Sequence, residues 1–297
     1  MSNTRQILVR KNAASNICKV TGTMETISAV RYRQYYNQWQ EGQAFYESLA
    51  QLAYLAVSAE QSIDHPLMKP PASKTQAVIV IGSDRGLCGA YNNDLYRQID
   101  THTKMAKRFG RELRFYAKGR KVLSYLEHRD ITPVKVYDEF AEAPSAEQIK
   151  AMADDFTQQY LAGEIGRLGI VYNRFFSAAS QKVQTLTILP VVDLIDDLTT
   201  RATAIWPWEL SFEEFMLRPS AAEIFDGLAT MIVRTSIQGC FLEAAASEHL
   251  SRVVCMRNAT DNAEEMITEL SKEYNRARQG QITVELLDIV GGVEAMK

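Results

Sequence analysis

The sequence predicts an α/β domain inserted between the two halves of a long antiparallel coiled coil made by the amino- and carboxyl-terminal helices. Three observations carry this. From Ile224 to Ala277 the seam residues recur at steps of three and four that alternate except at Gln238, Leu242 and Ala246, where two fours follow one another, close to the period of a coiled coil. A second helical stretch, from about Arg5 to Ile63, has a period near 3.5 as well. Between them, short β-branched runs alternate with helical segments, the pattern of a mostly parallel sheet.

The amino-terminal stretch places Ile17, Val20, Met24, Ile27, Tyr35, Phe45, Leu49, Leu52, Ala56 and Ile63 on its expected apolar seam. Gly22 and Gly42 each weaken it by about 1 kcal/mol relative to alanine, which packing along a partner helix can offset. The proline-rich run His65-Pro-Leu-Met-Lys-Pro-Pro ends it. Gln76-Ala-Val-Ile-Val-Ile then reads as a strand buried on both faces, and Asn92 to Phe109 as a helix. Glu112 to Ala117, Pro133 to Tyr137 and Arg167 to Asn173 read as further strands, with helices at Arg120–His128 and Ala146–Leu161. Lys182 to Leu189 alternates polar and apolar residues, as an edge strand with one wet face does. The body is thus Rossmann-like, and the expected division is 1–65 for the first helix, 75–195 for the α/β domain and 206–297 for the last helix.

No proline follows Pro219, so the last helix is expected to run unbroken and to project from the body. Its seam passes through Ile224, Leu228, Met231, Thr235, Gln238, Leu242, Ala246, His249, Val253, Met256, Thr260, Ala263, Ile267, Leu270, Tyr274 and Ala277. Small and polar residues at several of those levels give little apolar burial, which suits a shaft better than a permanent core. Charge agrees with an antiparallel pairing. The first forty residues hold six basic side chains against Glu25 alone, whereas Arg257 to Asp288 holds four basic against seven acidic. That pairing sets Ile17 beside the segment from Leu270 to Ala277.

At 297 residues, 46% hydrophobic and 23% charged, the composition is that of a folded globular chain. A net charge of −3 argues against nucleic acid as the partner. No apolar run is long enough to span a bilayer, and the start has no apolar core of a signal peptide, so the chain is expected to stay on its side of synthesis. The basic amino-terminal stretch is a pattern that organellar transit peptides share. Cys18, Cys88, Cys240 and Cys255 show no metal-ligand spacing and read as reduced thiols.

Gly82-Ser-Asp-Arg-Gly-Leu-Cys-Gly-Ala-Tyr-Asn follows the first strand, where a nucleotide phosphate sits in many α/β folds. Gly82, Gly86 and Gly89 do not make G-x-G-x-x-G, and no G-K-[ST] follows. Two readings remain: a structural turn, or an exposed contact loop whose Arg85 meets a carboxylate on a partner, the second being preferred. Cys88 lies near a helix start, but no histidine or acid is spaced to make it a nucleophile. His65, His102, His128 and His249 show no paired spacing and read as structural. An enzyme whose α/β body binds a nucleotide and a freestanding coiled-coil scaffold are the alternatives.

Three motifs of the carboxyl end resemble one family: Asn-Ala-Thr-Asp-Asn-Ala at 258–263, Tyr-Asn-Arg-Ala-Arg-Gln at 274–279, and Ile-Thr-x-Glu-x-x-Asp-Ile-Val-Gly-Gly at 282–292. Together with Ser83-Asp-Arg-Gly-Leu-Cys-Gly-Ala-Tyr-Asn they are similar to the gamma subunit of the F-type ATP synthase, over the full length. At the amino end the match is partial. Gly22 stands where the family has lysine, Thr23 where it has alanine, and Val293 departs at the tip. The resemblance implies a non-catalytic shaft, without cofactor or metal, inside a ring of three alpha and three beta subunits, with the α/β body against the epsilon subunit and the membrane rotor (c) ring. It implies a peripheral place on the cytoplasmic face of the bacterial inner membrane. Carried over by position, Arg278, Gln279 and Thr283 form a polar catch, and Ile282, Leu286, Ile289 and Val290 an apolar tip. Arg85 and Cys88 fall near an acidic lever loop of a beta subunit.

Overall fold

The computed structural model describes residues 2–59, 65–177, 180–195, 218 and 220–294. The expected ends of the first helical segment at 63 and 65 and the start of the last at 206 fall outside or at the margin of that set; helix α1 is described as Ser2–Ala59 and the last helix, α5, as Ala221–Glu294. By packing, the chain divides into two compact units, Met1–Val30 with Arg252–Lys297, and Arg31–Ser251.

The first unit is an antiparallel helix pair. Positions rise along α1 as they fall along α5: the Thr4 hydroxyl donates to Gln281 Oε1 at 3.2 Å, the hydroxyls of Thr21 and Thr260 meet at 2.7 Å, and Arg257 Nε donates to Glu25 Oε1 at 3.0 Å. On α5 the buried apolar positions of this unit are Met256, Ala263 and Leu270, seven apart as expected, with Thr260, Ile267 and Tyr274 half-buried between them. On α1 the expectation fails. Ile17 is 54% exposed, Val20 58% and Ile27 58%, while the buried heptad positions are Ile7, Ala14, Thr21 and Ser28. The apolar content of α1 misled the reading because small residues let helices approach closely and so outrank bulky ones on a narrow seam. Levels shift as well. With Cys18 against Glu264 and Thr21 against Thr260, Ile17 lies beside residues near 264, and the Leu270–Ala277 segment faces the first turns of α1 instead.

The second unit is built on a five-stranded sheet of order β3-β2-β1-β4-β5. Its strands are β1 Thr75–Ile81, β2 Glu112–Lys118, β3 Lys135–Val136, β4 Arg167–Ser177 and β5 Ser180–Leu189. The first four are parallel and β5 pairs antiparallel with β4 at the edge, as the alternating pattern of 182–189 predicts. Central β1 is the most buried: Ala77, Val78, Ile79 and Val80 are all 0% exposed. Helices α2 (Tyr91–Phe109) and α3 (Arg120–His128) cover one face, packing Leu95, Ile99, Val122 and Leu126 on Val78 and Val80. Helix α4 (Ala146–Leu161), started by a Ser145–Gln148 capping box, covers the other with the first half of α5. There α5 buries Phe225, Ala229, Ile232, Ile237, Phe241 and Ala244, and Met231 and Gln238 lie outside. The narrow seam expected over this part is a broad face, because the helix here is a wall of the domain and not one strand of a pair.

Within this unit α1 and α5 meet the β3–α4 loop through one carboxylate. Glu142 Oε2 accepts from Tyr35 Oη at 3.0 Å and lies 3.0 Å from His249 Nε2, and the Tyr35 ring stacks on His249. The bond from His249 first, and that from Tyr35 with it, outweigh partial desolvation and hold the Glu142 carboxyl down at about 2. Burial, and then the Glu142 charge, push the Tyr35 phenol up to about 12.

Candidate interaction surfaces

The turn after β1 is rigid, and its rigidity comes from buried polar groups. Asn92 Oδ1 accepts from the Ser83 amide at 3.2 Å, and Asn92 Nδ2 donates to Ser83 Oγ at 2.7 Å and to Cys88 Sγ at 3.3 Å. Lys118, at the end of β2, is buried and donates through Nζ to Asp84 Oδ2 at 2.8 Å, while the Arg120 amide reaches Asp84 Oδ1. Partial burial pushes the Asp84 carboxyl up, but the Lys118 ammonium and the Arg120 amide outweigh it and the group titrates below its ordinary value. The two loops come this close because Gly119, at φ 100°, has no Cβ; one placed there would sit 2.3 Å from the Gly82 carbonyl oxygen.

What the turn shows to the outside is Arg85 and Leu87. Leu87 is 61% exposed and holds φ 63°, a left-handed backbone that a leucine adopts only when its surroundings fix it. The sequence reading missed Leu87, although an apolar residue between the two glycines of a turn is a readable signal. Cys88, by contrast, is 2% exposed and packs in the core, so its side chain shapes the loop from beneath.

The place where an α/β sheet takes a nucleotide, beyond the carboxyl ends of its strands where the order reverses between β1 and β4, is filled by the chain itself. Tyr91 Oη donates to the Ala244 carbonyl of α5 at 3.2 Å, Asn173 Nδ2 donates to the Tyr91 carbonyl at 3.1 Å, and buried Glu243 accepts the Phe175 amide at 2.9 Å. No cluster of metal-ligating side chains occurs among the described residues.

The second surface is the carboxyl end of α5. Arg278, Gln279, Ile282, Thr283, Leu286, Ile289 and Val290 are brought together on consecutive exposed turns, and Thr283 Oγ1 is turned back onto the Gln279 carbonyl. Val284 and Leu287, which the sequence reading passed over, are 56% and 64% exposed beside them. Apolar side chains therefore point outward all round this stretch. A helix of that kind is a surface made to be covered. The outward Ile17, Val20, Ile27 and Val30 of α1 extend the apolar exterior of the first unit. No helix among the described residues is long and apolar enough to cross a membrane.

Fold and surfaces together define a protein whose chemistry is contact: an apolar helix end, an exposed arginine on a stiff turn, and a sheet whose nucleotide position is closed. The comparisons give that class a family. The family model described as ATP synthase matches residues 3–296. The ATP synthase gamma chain of Rhodopirellula baltica is 31% identical over the whole of both chains, and that of an Anaeromyxobacter species 35% identical, again over all of each. Among solved structures, a chain of the Euglena gracilis mitochondrial ATP synthase superposes with a TM-score of 0.66 at 18% identity, covering 99% of this chain and 95% of that one. One from the central stalk and c-ring of the Tetrahymena thermophila enzyme gives 0.57 at 20% identity, covering 81% and 99%. The chain belongs to the ATP synthase gamma chain family. It is accordingly the non-catalytic central shaft of an F-type ATP synthase, coupling rotation of the membrane ring to synthesis or hydrolysis of ATP at the catalytic ring.

Proposed function

We propose that the shaft works through the two surfaces described above, each against a different part of the complex. The terminal helix pair stands within three alpha and three beta subunits, and the α/β body meets the epsilon subunit and the c ring. The assembly is peripheral, on the cytoplasmic face of a bacterial inner membrane. In function the chain divides as 1–65, 75–195 and 206–297, helix, body and helix. Arg278, Gln279 and Thr283 act as the polar catch on beta-subunit loops. Ile282, Leu286, Ile289 and Val290 are the apolar tip in its bearing. Arg85, with Leu87 beside it and Cys88 holding the turn from beneath, meets an acidic loop of a beta subunit.

The observation that carries this reading is the exposed apolar end of α5, where Leu287 and Ile289 are each 64% exposed. An uncovered apolar helix end of this kind is a surface suited to a complementary sleeve. An asymmetric rod there presents a different face to each catalytic subunit, and only such differential contact can shift their states. Coupled synthesis in vesicles tests it. Arg278→Ala with Gln279→Ala leaves assembly intact and lowers ATP synthesis, by removing charge-assisted contacts of about 1.5–3 kcal/mol each. Unchanged synthesis removes both residues from the force path.

A further inference from the structure

Along the second unit α1 carries Gly42 one heptad from buried Tyr35 and one from buried Leu49, and this position, itself exposed, has no side chain. Tyr35 is 7% and Leu49 4% exposed, so the helix is anchored on either side of this level. Opposite, α5 carries Gly239. A Cβ at either glycine would meet nothing within 4 Å, and both lie in regular helix, so neither close packing nor backbone conformation calls for glycine here. Glycine inside a helix is nevertheless unfavourable by about 1 kcal/mol relative to alanine.

What the two glycines leave is space. Both line a cavity of about 440 Å³ between α1, α5 and the β4–β5 hairpin, within the size range of small-molecule sites. Trp39, Phe45, Tyr46, Tyr172 and Phe175 supply aromatic surface around it. Its charged lining is two carboxylates, Glu47 and Glu243, against one guanidinium, Arg174. Arg174 and Glu243 face each other, with Arg174 Nε 3.9 Å from the carboxylate, and Glu243 also accepts the Phe175 amide, so the one negative charge in excess is that of Glu47, which accepts from Gln43 Nε2 at 3.0 Å. Aromatic faces with an excess of negative charge select a cation that is itself flat and apolar, because stacking and cation–π attraction then act together.

We propose that this cavity is a binding site for a flat aromatic monocation, an aromatic amine protonated at neutral pH, which fills the level left empty by Gly42 and Gly239 and bridges α1 to α5. The site is independent of the contact surfaces above. Fluorescence titration of the full chain with proflavine tests it, with acridone as the uncharged ring system of similar shape. Proflavine is expected to bind saturably with one site and to raise the thermal midpoint, as any ligand of the folded state does. Acridone binds far more weakly. Gly42→Leu and Gly239→Leu fill the cavity and weaken proflavine binding by roughly tenfold or more, and Glu47→Gln weakens it roughly two- to fivefold. Absence of saturable binding to the wild-type chain overturns the proposal. So does equal binding of acridone, or undiminished binding in whichever leucine variant keeps the wild-type helical signal. Should neither leucine variant fold, the proflavine-to-acridone ratio and the Glu47→Gln titration decide by themselves.

Discussion

The two units are held together by different physics. In the second, β1 is sealed on both faces by branched side chains, with Val78, Ile79 and Val80 at 0% exposure. In the first, the buried seam positions include Ala14, Thr21, Ser28 and Ala263, and the bulky residues Ile17, Val20 and Ile27 lie outside. A domain that must keep its shape under load gains from area taken out of water, about 25 cal/mol per Å². A rod that turns in a sleeve has a different need. Under the proposed function its inner contact can be thin, because the complex would cover its outer apolar surface.

Substitutions can break that comparison, and the largest effect is expected in the sheet core. Phe156 is 0% exposed between α4 and the sheet, and its ring meets Tyr116 edge-on. Phe156→Ala should lower the stability of the second unit by about 3–5 kcal/mol in chemical denaturation. Gly119→Ala comes next, at about 2–4 kcal/mol, since the added methyl meets the Gly82 carbonyl at 2.3 Å in a left-handed backbone. A loss no greater than that of an ordinary exposed loop substitution would mean that the β1 and β2 turns are not locked together.

Smaller, and confined to acid, is the contribution of Glu142. Its carboxyl is held at about 2 against an ordinary 4.5, so it binds protons less readily folded than unfolded. Stability from this group is therefore fully present above about 4.5, fades as pH falls and is gone near 2. Glu142→Gln should flatten the pH dependence of the thermal midpoint in that window and leave the rest of the profile parallel to wild type. An identical slope in both proteins would remove the Tyr35–Glu142–His249 junction from the account. The smallest effect is expected on the seam. Thr21→Ala removes the 2.7 Å contact with Thr260 and should change stability by only about 1 kcal/mol. A loss on the scale of Phe156→Ala would erase the distinction between the units.

Much of this was legible because periodicity is a global property of a segment. The strands, their parallel order and the edge position of 182–189 follow from runs such as Gln76 to Ile81, and the seam of α5 beyond Val253 follows from strict spacing. The seam of α1 was not, for a physical reason: apolar residues mark burial only when the chain folds alone. Ile17, Val20 and Ile27 are apolar and yet lie outside, and Ala14 and Ser28 sit inside because they are small. The same ambiguity hid Leu87, Val284 and Leu287. Closure of the nucleotide position was half legible. The missing glycine spacing was in the sequence, but Tyr91 reaching Ala244 joins residues 153 positions apart, which no local pattern records.

The central claim is that the α/β body and the gripped helix end turn as one shaft. Attach a bead to a Lys107→Cys variant, on the exposed face of α2, in a complex whose catalytic ring is fixed to a surface, and supply ATP. The account predicts that the bead turns continuously and in one direction while ATP is hydrolysed, and stops when the nucleotide is removed. Hydrolysis at the normal rate with a bead that stays still would contradict it.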